Sequence, residues 1–290
     1  MIKMRLIVGF TLLFMLYAGS ISAAVTVIDA QGNSLIFKKP AKRIISLAPH
    51  ITELLFSAGA GEYIVGAVNY SDYPEAAKKI ARVGSYNQID IETIIALNPD
   101  LIIAWESGNS MHIIEKLKKL GFAVFVNEPR NLMDLPDVVK RLSLMAGTNA
   151  EKSIAVYLKK YNALKKEYSQ KRPVSLFYQY WNNPLMTING KHIISDVMRL
   201  CGAKNIFNNL KVLAPAVTVE AVVASKVEVI IVGGLQQQHR QWLNDWRKWQ
   251  NLPAVKNNHL YNINPDILQR HTMRLIDGAK VLCEKVDLAR

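Results

Sequence analysis

Residues 86–105 contain a short capped helix that is followed directly by a wholly apolar strand. Asp90 is the predicted N-cap, and Glu92 falls in the first helical turn, where its charge complements the exposed backbone N–H groups. Pro99 cannot continue a helix, so the helix must end before it. The apolar run 101–104 has no polar face, which predicts a strand that is buried on both faces of its sheet.

A second segment, 214–233, repeats this pattern. Thr218 is its predicted N-cap, Glu220 lies in the first helical turn, and 229–232 is the apolar strand. Glu220 precedes its strand by the same number of positions as Glu92 in the first segment. The repeat predicts two lobes that are built alike, each with one carboxylate at the start of a helix.

Strand and helix patterns alternate on both sides of a long helical stretch, which is typical of parallel sheets flanked by helices. Residues 149–170 repeat apolar side chains about every 3.6 positions, and a helix of that length is about 30 Å long. The sequence therefore predicts an α/β protein: two Rossmann-like lobes with parallel sheets, joined by a single long backbone helix. The predicted boundaries are 24–131 for the N-terminal lobe, 132–170 for the connecting helices and 171–290 for the C-terminal lobe.

The first residues have the pattern of a secretory signal. Two basic residues precede an apolar run, 6–19, which is shorter than the roughly 20 residues that a membrane-spanning helix needs. Small residues follow this run. We expect a signal peptide at 1–23, cleavage near Ala23 or Ala24, and export of the mature chain to the periplasm.

The chain has two cysteines, Cys201 and Cys283. In an exported protein an even number of cysteines indicates a disulfide. The bond would tie the last helix of the chain to the helix that ends near Cys201. Closing a loop of this length would stabilise the fold by about 4 kcal/mol in the chain-entropy model.

The formal net charge is +13, with 36 Lys and Arg against 23 Asp and Glu. The basic residues are scattered along helical faces, and no recognisable nucleic-acid motif accompanies them. Solvated helix faces explain this charge better than a site for a polyanion. No nucleic-acid partner is therefore predicted.

Sequence motifs of common enzyme active sites are missing from the chain. It has no GxSxG elbow, no GxxxxGK[ST] loop and no strand-linked GxGxxG. The histidines lack HxxxH spacing, so no zinc site is predicted. We expect a protein that is not an enzyme and needs no cofactor. A periplasmic hydrolase stays open as an alternative, because catalytic triads are defined by geometry and not by spacing.

Several aromatic residues and one histidine stand where predicted strands end, which is where open α/β sheets bind ligands. Tyr70, Tyr86 and Trp105 are candidates to stack on a flat ligand. His50 follows the first buried strand, and its imidazole is a candidate axial donor to a metal inside the ligand, with a structural role as the alternative. Tyr73, which precedes a proline, is assigned a structural role. Three tryptophans at helical spacing are assigned to packing: Trp242, Trp246 and Trp249.

A set of segments follows in a fixed order along the chain: RIISLAPHITELLFSAGA, the YSDYP loop, the two repeated segments, LCGAKNIF, and R-x8-C from Arg274 to Cys283. Their order and spacing resemble the helical-backbone class of substrate-binding proteins of ABC importers, and within it the cobalamin-binding members. The resemblance covers most of the chain after the leader. It implies a monomer that holds cobalamin or a related corrinoid between its lobes and delivers it to the permease dimer of an importer in the inner membrane.

The resemblance also implies roles for individual residues. Glu92 and Glu220 match the two glutamates that pair with arginines of the permease. Four residues match positions that line the cobalamin cleft: Tyr70, Tyr86, Trp105 and Asp266. Arg270 lies one helical turn beyond Asp266, and Cys201 and Cys283 match the disulfide of the class.

Two positions depart from the cobalamin-binding pattern. Tyr86 and Ala214 stand where these proteins have a tryptophan in each lobe stacking on the corrin ring. Tyrosine keeps an aromatic face, whereas alanine loses about 1 kcal/mol of aromatic contact. The alternative ligands for the same fold are haem and a ferric siderophore. For an anionic chelate the candidate cations are Arg270 and Arg130.

Overall fold

The computed structural model describes residues 24–234 and 238–290. The predicted signal peptide, 1–23, lies outside the described residues.

The elements of the N-terminal half follow in chain order: β1 (Val25–Ile28), β2 (Ser34–Phe37), β3 (Ile44–Ser46), α1 (Pro49–Ser57), β4 (Ile64–Ala67), β5 (Gly84–Ser85), β6 (Gln88–Ile89), α2 (Ile91–Leu97), β7 (Leu101–Trp105), α3 (Met111–Lys119), β8 (Val124–Asn127), α4 (Asp134–Ala146) and α5 (Glu151–Tyr168). Two short 3-10 helices lie on either side of β4: Gly61–Tyr63 directly before it, and Glu75–Lys79 after the loop that follows it.

The elements of the C-terminal half are β9 (Val174–Gln179), α6 (Ile193–Leu200), β10 (Ala203–Asn205), α7 (Val219–Ala224), β11 (Val229–Val232), α8 (Gln238–Arg247), α9 (Pro253–Lys256), β12 (Leu260–Asn262), α10 (Pro265–Leu268) and α11 (Leu275–Asp287). The sequence did not predict β10, and it predicted α5 two residues longer at each end.

Each lobe is built on a four-stranded parallel sheet. The strand order is β4-β3-β7-β8 in the N-terminal lobe and β10-β9-β11-β12 in the C-terminal lobe. Alternate residues of a strand enter different cores: Ile103 packs on the side of α1 and α4, and Ile102 on the side of α2 and α3. Because helices cover both faces, these strands carry apolar residues throughout. The predicted fold class is confirmed.

The two repeated segments fold as predicted. The Asp90 carboxylate accepts a hydrogen bond from the Thr93 backbone N–H at 3.0 Å, which caps α2, and the Thr218 hydroxyl accepts one from Ala221 at 3.2 Å, which caps α7. Asn98 ends α2 in the left-handed conformation with φ of 44°. The strands that follow, β7 and β11, are almost completely buried.

The helix α5 connects the two lobes. It packs against α4 on the N-terminal side and against α6 and α11 on the C-terminal side. Tyr157 is buried, and its hydroxyl donates to the backbone oxygen of Leu132 at 2.8 Å. The helix is therefore fixed along its length by both lobes. Its predicted role as the connecting element is confirmed.

A disulfide joins Cys201 at the end of α6 to Cys283 in α11. Both cysteines are fully buried. The predicted bond between the last helix and the helix ending near Cys201 is thus confirmed, and it closes a loop with a sequence separation of 82.

Candidate ligand-binding cleft

The site lies where the carboxyl ends of both parallel sheets meet. In open α/β sheets this edge is the usual place for a ligand, because loops there are free of the hydrogen bonds that hold the strands. Trp105 ends β7 of the N-terminal lobe, and Tyr180 and Trp181 follow β9 of the C-terminal lobe. Ring contacts between His50 of the N-terminal lobe and His271 of the C-terminal lobe join the two edges.

Six rings form a continuous row across the boundary between the lobes. Consecutive ring centroids are 6.5 Å apart for Tyr86 and Trp105, 5.0 Å for Trp105 and His50, 5.7 Å for His50 and His271, 5.4 Å for His271 and His192, and 6.4 Å for His192 and Tyr180. We refer to these six residues as the aromatic row. The row begins at Tyr86 in the N-terminal lobe and ends at Tyr180, just beyond β9 of the C-terminal lobe, so it belongs to both lobes.

The three histidines of the row are held in their neutral form. Burial, followed by the charge of His271, lowers the pKa of His50 well below its ordinary value. Burial and the nearby charges of His271 and Arg130 lower the pKa of His192 to about 3, and burial together with Arg130 lowers that of His271 to about 4. At neutral pH the row therefore carries no positive charge.

Several polar atoms of the row have no hydrogen-bond partner among the described residues. They are buried ring nitrogens: Nε2 of His50, Nδ1 of His271 and Nε1 of Trp105. In contrast, His192 Nδ1 accepts from the Ile194 N–H at 3.2 Å and thereby caps α6. Unpartnered buried polar atoms are uncommon in folded proteins, so the hydrogen bonding of the row is incomplete among the described residues.

Charged side chains form a second contact between the lobes, beside the aromatic row. Arg270 Nη1 lies 3.0 Å from Glu53 Oε1 and 2.7 Å from Asp72 Oδ1, and its Nη2 lies 3.0 Å from Asp266 Oδ1. Arg274 binds both carboxylate oxygens of Glu53, at 2.9 and 2.7 Å. We call these five residues the interlobe salt-bridge cluster. Glu53 and Asp72 belong to the N-terminal lobe, and the others to the C-terminal lobe.

The structure places the predicted site residues in three settings. His50, Tyr86 and Trp105 come together in the aromatic row. His50 was expected at the open end of a strand, but it lies buried in the first turn of α1. Tyr70 lies in the loop after β4 with φ of 64° and is 77% exposed. Asp266 and Arg270 belong to the interlobe salt-bridge cluster. Contact of any of these residues with a ligand stays a prediction.

The four aromatic residues that were assigned structural roles differ in burial and in their contacts. Tyr73 lies under the Arg274 guanidinium, 3.7 Å from the ring centroid, and so contributes to the contact between the lobes. Trp242 and Trp246 are buried in the C-terminal core, whereas Trp249 is partly exposed. Packing therefore accounts for the first two tryptophans of α8.

Sequence reasoning missed several residues of the C-terminal lobe at the cleft: Tyr180, Trp181, His192 and His271. Trp181 is 47% exposed, directly beyond the end of β9, and its ring lies 6.0 Å from that of Trp242. Its position after an apolar strand was the signal available in the sequence. His192 and His271 lie far apart in the chain, and no spacing pattern connects them.

Both predicted docking glutamates are exposed in the first turn of a short helix, Glu92 in α2 and Glu220 in α7. Each helix precedes a sheet strand and runs back along the sheet, so its N-terminus lies near the carboxyl edge of the strands. Neither glutamate makes a salt bridge within residues 24–234 and 238–290. Both carboxylates are thus available on the edge that carries the cleft.

A sequence profile of the periplasmic binding protein family matches residues 44–267. The chain belongs to this family. Among curated members, the vitamin B12-binding protein of Vibrio campbellii is 36% identical over 256 residues, which cover 87% of this chain and 91% of that protein. The vitamin B12-binding protein of Yersinia pestis is 34% identical over 248 residues, which cover 85% and 86%.

Solved structures of periplasmic binding proteins have the same fold. The periplasmic vitamin B12 binding protein BtuF of Vibrio cholerae is 34% identical, with a TM-score of 0.80, over 86% of this chain and 98% of that chain. The periplasmic heme-binding protein RhuT of Roseiflexus sp. RS-1 is 19% identical, with a TM-score of 0.74, over 86% and 100%. The second likeness bears on the fold alone.

Membership of this family agrees with the class of protein predicted from the sequence. The relatives are named as binding proteins. None of the helices in the described part of the chain is long and apolar enough to cross a membrane.

Proposed function

We propose that this periplasmic binding protein captures cobalamin in the cleft between its lobes and delivers it to the permease dimer of an ABC importer. One observation carries the proposal: relatives named vitamin B12-binding proteins match nearly the whole chain at 34–36% identity. The aromatic row supports it, because aromatic side chains of both lobes at the carboxyl edge of the sheets suit a large flat ring.

The corrin ring would lie against rings of both lobes. Tyr86 and Trp105 would face it from the N-terminal side. Trp181 would face it from the C-terminal side and would supply the aromatic contact that Ala214 lacks. The amide side chains at the rim of cobalamin are neutral donors and acceptors, which suit the unpartnered nitrogens of the aromatic row. Tyr70, Asp266 and Arg270 would border the ligand at its rim.

His50 would approach the ligand through its buried, unpartnered Nε2. The pKa of its imidazole is lowered, so the ring stays neutral and its nitrogen can act as a donor to cobalt. The protein performs no covalent chemistry in this account: it is a monomer that binds and releases its ligand without a cofactor. The proposed domain boundaries are 24–131, 132–170 and 171–290.

Delivery would depend on Glu92 and Glu220, which would engage arginines of the permease. Both are exposed and occupy equivalent places in the repeated segments. Paired acidic groups also steer the encounter of a net-basic protein with a basic docking surface. Export to the periplasm follows from the predicted signal peptide.

A comparison of three ligands tests the proposal. The mature protein is titrated with cyanocobalamin, haemin and a ferric siderophore, and heat and visible spectra are followed. We expect tight, saturable binding of cyanocobalamin alone. Preferential binding of haemin or the siderophore would reject the cobalamin proposal, and conversion of any of the three would favour the hydrolase alternative.

A further inference from the structure

The interlobe salt-bridge cluster neutralises two arginines at the edge of the cleft. Arg270 makes contacts with three carboxylates, those of Glu53, Asp72 and Asp266, and its side chain is only 18% exposed. Arg274 makes a bidentate salt bridge with Glu53, whose side chain is 3% exposed. Bidentate arginine–carboxylate pairs are among the strongest charged hydrogen bonds in proteins. The cluster contains three carboxylates and two guanidinium groups, so it offers no free positive charge.

This cluster directly adjoins the aromatic row. Glu53 lies on α1 one turn after His50, and Arg270 precedes His271 in the chain. The charge of Arg270 reaches the His50 ring, where it contributes to the lowered pKa of that imidazole. Without their carboxylate partners, the two arginines would present positive charge at the rim of the cleft.

The third arginine near the row has carboxylates beside it as well. Arg130 lowers the pKa of both His192 and His271, and its Nη2 lies 3.9 Å from carboxylate oxygens of Glu106 and Glu128. A cleft with neutral histidines and paired arginines has no spare cation for a carboxylate on a ligand. Moving an anionic group from water into this cleft costs desolvation free energy, and no unpaired cation is present there to offset that cost.

We propose that Glu53 and Asp72 determine ligand specificity: by pairing with Arg270 and Arg274 they make the cleft select ring ligands with an uncharged amide rim and reject rings that carry carboxylates. The inference rests on the proposed capture of cobalamin and adds the chemical class that the rim must have. Asp72 can be substituted with less risk to folding than Glu53, because Asp72 is half-exposed while Glu53 is buried.

The test compares two ligands that differ by one charge: cyanocobalamin and its monocarboxylic acid, in which one side-chain amide has been hydrolysed. We expect the intact protein to bind the acid about tenfold more weakly at pH 7, equivalent to about 1.4 kcal/mol. Glu53→Gln removes the carboxylate that contacts Arg274, and Asp72→Asn removes one of the three carboxylates around Arg270. Either change removes one negative charge from the cluster and so weakens its repulsion of a carboxylate on the ligand. The ratio of the two affinities should fall several-fold in both variants.

The matched control is Glu75→Gln, which removes a carboxylate from the same loop region. Glu75 pairs only with Lys78 among the described residues, and its side chain is 83% exposed. The affinity ratio should be the same in this variant as in the intact protein. Thermal unfolding identifies any variant that does not fold, and Asp72→Asn serves as the test if Glu53→Gln is unstable.

The outcomes separate the inference from the function on which it rests. Equal affinities of the intact protein for the two corrinoids, or a ratio that Asp72→Asn leaves unchanged, would overturn the inference while cobalamin capture stands. Failure to bind either corrinoid would overturn the proposed function and this inference with it.

Discussion

His192 has two structural roles at the C-terminal end of the aromatic row. Its Nδ1 caps α6, and its ring contacts both His271 and Tyr180. Capping by a ring nitrogen requires the unprotonated form, since only that form accepts a hydrogen bond. Burial and the lowered pKa of about 3 maintain this form in the folded protein.

Protonation of the buried histidines should couple stability to pH. In the unfolded chain a histidine titrates near 6.5, whereas in the fold His192 and His271 titrate near 3 and 4. The unfolded state therefore binds more protons between these values, and the stability present above pH 6.5 is lost as the pH falls. We expect a loss of about 2 kcal/mol for each histidine between pH 7 and 5, with the slope approaching about 1.4 kcal/mol per pH unit at the acidic end, measured by chemical denaturation.

His192→Asn isolates one part of this effect. Asparagine keeps an N-cap acceptor but does not titrate, so the dependence of unfolding free energy on pH should become shallower in this variant. His112→Asn at an exposed site of α3 is the control and should leave the slope as it is. An unchanged slope in His192→Asn would show that this histidine is not neutral in the fold.

Trp181 should account for much of the C-terminal stacking surface, because Ala214 provides no ring. Trp181→Ala is expected to weaken the binding of cyanocobalamin about tenfold, in keeping with an aromatic contact of about 1 kcal/mol and the buried area of the ring. Titration calorimetry gives the affinity. Trp249→Ala, two residues beyond α8 of the same lobe, is the control and should bind normally. Equal losses in both variants would remove Trp181 from the site.

At the scale of secondary structure, the two repeated segments were predictable because their signals are local. Asp90 and Thr218 are N-caps with a glutamate two positions later, and Pro99 with Asn98 ends the first helix. Such signals act within one or two turns of the chain. They do not depend on tertiary contacts, so sequence alone was sufficient to place α2, β7, α7 and β11.

Elements whose limits depend on longer-range contacts were predicted less well. The strand β10 has only three residues and no alternating pattern, and it exists because it pairs with β9. The helix α5 begins late because the Asn149 side chain accepts from the Glu151 N–H at 2.7 Å, which places Asn149 before the helix. The aromatic row could not be predicted from the sequence for the same reason, since its members meet only when both lobes are folded.

The helices α2 and α7 yield a prediction about transport. Reversing the charge in Glu92→Lys and Glu220→Lys together should abolish uptake by the importer while leaving cyanocobalamin affinity intact, because neither residue contacts the aromatic row. Each reversed contact should cost about 2 kcal/mol or more in docking to the permease. Uptake by cells that carry the double variant measures the effect.

Exposed glutamates elsewhere in the two lobes provide the control for this experiment. Glu75→Lys with Glu284→Lys makes the same change in net charge away from α2 and α7. Uptake should continue with that pair. Normal uptake by the Glu92 and Glu220 variant would contradict the docking proposal, and a loss in both pairs would indicate a general effect of charge.

At the scale of the whole molecule, the helix α5, the aromatic row and the interlobe salt-bridge cluster all hold the described parts of the two lobes together. All three cross the boundary between the lobes. A groove of about 870 Å³ lies elsewhere, at the amino ends of the N-terminal strands, where Ala41 and Phe122 line it. It is on the opposite edge of the sheet from the cleft and offers a competing place for a large ligand.

A crystal structure of the complex with cyanocobalamin would test the central claim most directly. The account predicts that the corrin ring lies between the lobes, in contact with Trp105 on one side and Trp181 on the other. Density for the ring in the groove at the amino ends of the N-terminal strands, or anywhere away from the aromatic row, would contradict this prediction.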